Sequence, residues 1–302
     1  AAVASGMLPF ADGSDMMGSL RNPAAFCSIY GFRPTPTLIP VNDPQGNLPR
    51  LSTLGGLART TKCLTYLLDA QRGSFNNSKS RTLLFSELVD SPLTKKEIRI
   101  AWLGTFNGSY IYEPEIEILC QNYLKSLSYH NVKIDDFSPK FSAEQLWESW
   151  TTLRCQSIKQ NLGPHYYNPK TKRLLKPEIL WEIEKASSLT NEKVKMALDL
   201  REEWIRFLKD LFQSFDFLML PSAQVFPFSI KCQYPSEING TAMDTYHRWM
   251  EVVIPASLAG LPTMSIPCGH SKKGLPMGIQ LMGNFKDDLN VLKISHFFEK
   301  ML

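Results

Sequence analysis

The sequence has no long apolar run and no block of like charge longer than a pair of lysines. Its longest apolar stretches fall well short of the roughly 20 residues that a membrane-spanning helix needs. The formal net charge is only +4, from 33 basic and 29 acidic residues, so nothing favours nucleic-acid binding. We therefore predict a protein with neither nucleic-acid nor membrane partners.

The sequence also lacks a C-x-x-C pair, and its cysteines are widely spaced. This spacing argues against a structural zinc site and against a small disulfide scaffold, and it favours free thiols in a reducing compartment. No basic segment followed by an apolar stretch, as in an export signal, stands at the N-terminus. These absences predict a cytoplasmic protein. The six cysteines are Cys27, Cys63, Cys120, Cys155, Cys232 and Cys268.

Several catalytic motifs are missing as well. There is no H-E-x-x-H for a helical zinc hydrolase, no G-x-S-x-G nucleophile elbow, and no Walker A or G-x-G-x-x-G loop for a nucleotide. We predict that the protein uses neither a metal nor a cofactor.

What is present is an ordinary globular composition, 43% hydrophobic and 21% charged over 302 residues. Short β-branched runs such as "IRIAWLG" and "VKIDDF" alternate with helical periodicity, which predicts an α/β fold with a mixed central β-sheet covered by α-helices. We predict one domain over 1–302, with a mainly helical layer or insertion at about 141–215. The tryptophans of this layer are interpreted chiefly as packing residues, with a substrate-pocket wall as the alternative.

Three local predictions follow from the pattern. "GGLARTTKCLTYLLDAQRG" is predicted to be a helix that stops at Gly73, and "AMDTYHRWMEVVIPASLAG" a helix broken near Pro255. The segment "GSDMMGSLR" fits neither a helix nor a strand, so it is predicted to be a loop.

The predicted loop contains groups that are suited to catalysis. Ser19 follows Gly18, and a serine on a sharp glycine turn exposes its hydroxyl while nearby backbone N–H groups can point at an anion. Acyl transfer needs this combination, together with a base within about 3 Å of the hydroxyl. The alternative from the residues alone is a structural glycine turn in which Asp15 and Arg21 bridge two elements.

Four segments, in order along the chain, resemble the blocks of the amidase signature family. "GSDMMGSLRNPAAFCSIYGFRPT" resembles its G-[ST]-D-x-G-G-S-[IV]-R core, and the others are similar to its later blocks. These are "LGGLARTTKCLTYLLDAQRG", "FDFLMLPSAQVFPF" and "SLAGLPTMSIPCG" with "GLPMGIQLMG". The resemblance implies the family's fold and the hydrolysis of a small-molecule amide.

The resemblance also assigns roles to residues of the first block. Ser19 would be the nucleophile, Ser14 would lie near a catalytic lysine, and Asn22 would lie at the mouth of the substrate site. Asp15 and Arg21 would support the loop through hydrogen bonds and an ion pair. The backbone N–H groups of the oxyanion hole would be those of Met16, Met17, Gly18 and Ser19.

In this family a lysine activates the nucleophile through a bridging cis serine of a G-G-S-S-G-G block. That block and the lysine would precede Ala1, so the chain is expected to be the C-terminal portion of an amidase and inactive by itself. Met17 also replaces a family glycine, and Cys63 stands where aspartate is frequent. The alternatives are an A-type subunit of a tRNA-dependent amidotransferase and a truncated, inactive homologue, and a homodimer is possible.

Overall fold

A computed structural model describes residues 1–41, 48–72, 83–93, 95 and 97–301. Gly73, the predicted helix stop, lies outside these residues. Within them the strands are β1 (Phe10–Asp15), β2 (Tyr30–Arg33), β3 (Thr53–Ala58), β4 (Ile98–Trp102), β5 (Val132–Asp136), β6 (Phe217–Pro221), β7 (Glu237–Ile238), β8 (Thr241–Ala242), β9 (Thr263–His270) and β10 (Pro276–Gly283).

Eight of these strands form one mixed sheet in the order β1-β3-β2-β9-β10-β6-β4-β5. The pairs from β1 to β6 are antiparallel, whereas β6–β4 and β4–β5 are parallel. The β4–β5 pair is the strand–helix–strand unit predicted from sequence, since parallel neighbours need a crossover and a helix supplies it. The predicted mixed sheet covered by helices is confirmed. β7 and β8 form a separate hairpin.

Helices cover the sheet. They are α1 (Arg21–Phe26), α2 (Thr61–Gln71), α3 (Phe85–Leu88), α4 (Ile116–Leu127), α5 (Ala143–Tyr167), α6 (Pro169–Lys172), α7 (Pro177–Ser187), α8 (Asn191–Leu211), α9 (Ile254–Ala259) and α10 (Asp288–Met301). Two 3-10 helices, Ser128–His130 and Arg248–Val253, complete the set. None of the helices in the described part of the chain is long and apolar enough to cross a membrane.

The centre of the sheet is buried on both faces. Along β6, Leu218 and Leu220 pack into a core with the α5 and α8 tryptophans Trp150 and Trp204, while Phe217 and Met219 pack into the opposite core. A strand buried on both sides reads as a continuous apolar run, which is how "FDFLMLPS" reads. Trp147, Trp150 and Trp204 are buried, as expected of packing residues, whereas Trp181 is 37% exposed.

Some local predictions were wrong. Gly13, Ser14 and Asp15 belong to β1 and not to a loop, and "TLGGLA" forms β3 instead of the first turns of a helix. Glycine is unfavourable inside a strand. At Gly55, however, a Cβ would lie 2.2 Å from the Phe32 carbonyl oxygen, so the close approach of β2 requires glycine there. The helix predicted over 242–260 is shorter and divided: Ala242 belongs to β8, a 3-10 helix covers Arg248–Val253, and Pro255 stands in the first turn of α9, where its missing N–H costs nothing.

Candidate active site

Ser19 lies in the short connection between β1 and α1. Its side chain is exposed, and its hydroxyl makes no hydrogen bond with any described residue. Gly18, just before it, has φ +79°, a left-handed conformation that favours glycine. A Cβ at Gly18 would also lie 2.9 Å from Asn22 Oδ1 and 3.1 Å from Val253 Cγ1. The turn therefore presents a free hydroxyl on a closely packed backbone.

The buried Asp15 carboxylate stabilises this turn through hydrogen bonds to its backbone. It accepts hydrogen bonds from the backbone N–H of Gly18 at 2.8 Å and of Leu20 at 3.3 Å, the residues on either side of Ser19. Burial alone would raise the pKa of Asp15, but the charge and hydrogen bonds of Arg21 outweigh it and lower the pKa to about 2. Asp15 is therefore an ionised acceptor at neutral pH.

Arg21 connects the turn to distant parts of the chain. It pairs with Asp15 through Nε and Nη2, at 3.0 and 2.9 Å. Its remaining hydrogen bonds go to Ser257 Oγ at 2.6 Å, to Gln280 Oε1 at 2.9 Å and to the Val253 carbonyl at 3.0 Å. The predicted ion pair is thus present, fully buried, and anchored to α9 and β10.

Four backbone amides were predicted to form the oxyanion hole. The Gly18 N–H donates to Asp15 Oδ1, so the candidate donors of the oxyanion hole are the N–H groups of Met16, Met17 and Ser19. Among the described residues, no hydrogen-bond acceptor faces the N–H of Met16, Met17 or Ser19. A turn with unpaired N–H groups beside a free hydroxyl can bind a developing oxyanion.

The other two predicted residues flank the turn. Ser14 is exposed on β1, the edge strand of the sheet, opposite Leu54. Asn22 is only 5% exposed, and its Oδ1 is buried without a hydrogen-bond partner among the described residues. Asn22 therefore lies directly behind Gly18, and little of its surface faces solvent.

Sequence reasoning missed the residues that fix Arg21 from the far end of the chain. Ser257 lies in "SLAGLPTMSIPCG" and Gln280 in "GLPMGIQLMG", the last segments that resemble the family. That resemblance was the only feature of the sequence that could have pointed to them. Gln280 also donates to the carbonyls of Pro221 and Val252, which joins β10 to β6 and to the segment before α9. No signal indicated Arg154 of α5, whose Nη1 lies 3.1 Å from Met16 Sδ.

Comparison with known proteins decides the family. A statistical profile of the family described as Amidase matches residues 1–292. The chain belongs to the amidase family. The matched residues include the first block, with its Asp15–Arg21 ion pair and exposed Ser19, and all the strands of the sheet.

The relatives of this amidase-family chain include two kinds of protein. The A-type subunit of the glutamyl-tRNA(Gln) amidotransferase of Picosynechococcus is 28% identical, over 99% of this chain and 66% of the relative. The acylamidase of Rhodococcus erythropolis is 24% identical, over 99% and 62%. A bacterial aryl acylamidase of the amidase signature family has the same fold, with a TM-score of 0.83 at 22% identity, over 100% of this chain and 64% of that one. The chain thus spans just under two thirds of the length of these proteins.

Proposed function

We propose that the protein hydrolyses the C–N bond of a small-molecule carboxamide through an acyl-enzyme on Ser19. The observation that carries the proposal is the turn itself. An exposed hydroxyl with no hydrogen-bond partner among the described residues follows a left-handed glycine, on a backbone held by a buried ion pair, in a chain of the amidase family.

In this mechanism Ser19 Oγ attacks the amide carbonyl carbon, and the new C–O bond pushes electrons onto the carbonyl oxygen. The N–H groups of Met16, Met17 and Ser19 stabilise that oxyanion. The C–N bond then breaks, the amine leaves with the proton taken from Ser19, and water hydrolyses the acyl-enzyme to a carboxylate. The base that takes the proton would be the family's lysine, acting through its bridging serine, as the resemblance implies.

Substitution of Ser19 tests the nucleophile. The full-length gene product is assayed for amide cleavage beside its Ser19→Ala variant and the surface control Ser188→Ala. We expect Ser19→Ala to lose at least about a thousandfold in kcat, by analogy with other serine nucleophiles. Turnover by Ser19→Ala equal to that of Ser188→Ala would refute the assignment.

A second candidate is an A-type subunit of a tRNA-dependent amidotransferase. The observation that favours it is the similarity to the Picosynechococcus amidotransferase protein, at 28% identity. The two functions differ in where the ammonia goes. Release of ammonia into solution by the protein alone supports the hydrolase, whereas transfer to an aminoacyl-tRNA that depends on partner chains supports the amidotransferase. Absence of both activities in the full-length gene product would support an inactive homologue.

A further inference from the structure

A cleft of about 490 Å³ is lined by Arg154, whose guanidinium contacts Met16 of the candidate catalytic turn. Its walls come from α5, from the start of α7 and from the segment around Tyr246 and His247. Its volume is in the range of small-molecule sites. Arg154 of α5 lines this cleft and also contacts Met16, so Arg154 links the cleft to the turn that carries Ser19.

The Arg154 guanidinium is held in place but keeps donors free. Its Nε donates to Glu182 Oε1, and its plane stacks near the Trp150 ring, with Cζ 5.2 Å from the ring centroid. Its Nη1 meets only the Met16 thioether, a weak acceptor. Its Nη2 has no hydrogen-bond partner among the described residues. Two of the three guanidinium nitrogens therefore lack a strong acceptor.

Glu182 fixes the orientation of Arg154. Its side chain is fully buried, with Oε1 on Arg154 Nε and His247 Nε2 3.1 Å from the same oxygen. Burial by itself would raise the pKa of Glu182, but the neighbouring His247 and Arg154 lower it below its usual value. Because its other oxygen is buried and has no partner in the described part of the chain, Glu182 offers a ligand no accessible acceptor. It acts as a positioning residue.

The cleft presents two cations, Arg154 and Lys176, and one accessible carboxylate, Glu178. The other lining carboxylate, Glu178, accepts a hydrogen bond from Gln233 Nε2 at 2.7 Å. Lys176, on the rim, is exposed and forms no ion pair with a described residue. A guanidinium with two free nitrogens beside a second cation is suited to a planar carboxylate.

We propose that this cleft binds a carboxylate carried by the amide substrate, and that Arg154 determines this specificity. The inference rests on the proposed amide hydrolysis, and it narrows the substrate class to amides with an anionic group beyond the scissile bond. Arg154 would donate from Nη1 and Nη2 to the carboxylate, displacing the weak contact with Met16 Sδ. Lys176 would add a longer-range attraction.

Matched pairs of substrates test the proposal in the full-length gene product. Succinamate, glutaramate and adipamate each carry one carboxamide and one carboxylate, and the corresponding diamides are their uncharged counterparts. We expect one amic acid to be preferred over its diamide. Arg154→Gln should then lower kcat/KM for that amic acid about 10- to 100-fold, chiefly through KM, and change the diamide less than about threefold.

Three further variants separate recognition from folding. Arg154→Lys keeps the positive charge but lacks the two parallel donors of a guanidinium, so it should retain part of the preference for the amic acid over the diamide. Arg154→Gln with Glu182→Gln removes both charges, so it avoids leaving Glu182 buried and unpaired. Lys159→Gln, in the same helix α5, should leave the preference unchanged. A preference for diamides, or an equal loss on both substrates in every Arg154 variant, would overturn the inference.

A binding measurement does not depend on turnover. The preferred amic acid is titrated calorimetrically into the wild type and into Arg154→Gln. Succinamate is used if none of the amic acids or diamides is cleaved. Binding that weakens at least about tenfold in the variant supports the carboxylate site even if Ser19 proves inactive. Equal binding to both proteins, or binding to neither, overturns it. Absence of all hydrolysis with intact Arg154-dependent binding would refute only the proposed function.

Discussion

Arg21 donates from Nε and Nη2 to the two carboxylate oxygens of Asp15, at 3.0 and 2.9 Å, with both side chains fully buried. The same carboxylate accepts the N–H groups on both sides of Ser19. The conformation of the Ser19 turn is thus tied to an ion pair whose cation is anchored by α9 and β10. Removing either charge would leave the other buried, and the turn would lose its support.

The first prediction concerns the stability that this pair controls. Arg21→Met should lower the free energy of unfolding by about 3–5 kcal/mol, because it removes the hydrogen-bonded partner of the buried Asp15 carboxylate and leaves only Arg33, whose Nε lies 3.7 Å from Asp15 Oδ1. Lys195→Met is the control: it breaks the exposed Lys195–Asp199 pair and should cost at most about 1 kcal/mol. Urea denaturation measures both. Equal losses in the two variants would show that the buried pair does not support the fold.

The second prediction separates backbone strain from crowding at Gly18. Gly18 and Gly240 have nearly equal φ, +79° and +82°, but an added Cβ meets Asn22 and Val253 at Gly18 and nothing within 4 Å at Gly240. Gly240→Ala should cost about 1–2 kcal/mol from the left-handed conformation alone. Gly18→Ala should cost a further 1–3 kcal/mol or so from crowding, and it should lower amide hydrolysis. Thermal or urea unfolding of the two variants gives the comparison; similar costs would contradict it.

The sequence predicts local elements well where pattern and packing agree. The run that became β4, the periodicity of α4 and the run that became β5 were all visible because most of their apolar residues pack into the same buried core. The pattern failed at β3, where close strand approach selects glycine against its propensity. It could not show that Arg21 meets Gln280, or that Arg154 meets Met16, because contacts across 259 and 138 residues depend on the topology of the sheet.

The third prediction concerns Glu251, in the 3-10 helix before α9. Burial raises the pKa of its carboxyl from 4.5 to about 7, although Arg248, 3.2 Å away, opposes the shift. The folded protein therefore holds this proton more tightly than the unfolded chain, and stability falls as the pH rises from about 4.5 to about 7. The contribution is about 2–3 kcal/mol.

Glu251→Gln should remove that part of the pH dependence. We expect the difference in free energy of unfolding between the variant and the wild type to grow by about 2–3 kcal/mol from pH 4.5 to pH 8, in favour of the variant. The exposed Glu144 pairs with the same Arg248, so Glu144→Gln is the matched control and should show no such trend. Urea titrations at several pH values provide the test. Parallel pH profiles for the wild type and Glu251→Gln would contradict the burial of an ionisable Glu251.

The fourth prediction concerns Met17, which replaces a family glycine at a proposed oxyanion donor. Its backbone N–H does not depend on the side chain, but the side chain is 4% exposed and packs into the core beneath the helical layer. Met17→Ala should therefore lower the free energy of unfolding by about 2–5 kcal/mol through the cavity it leaves. Met17→Leu, of similar volume, should cost less than about 1.5 kcal/mol.

Activity distinguishes the packing role of Met17 from a catalytic one. At a temperature where both variants are folded, kcat for a simple amide should stay within about threefold of the wild type, because the amide donor is retained. A kcat that collapses in Met17→Leu while its stability is unchanged would mean that the side chain contacts the substrate. The oxyanion hole would then depend on more of this turn than its backbone.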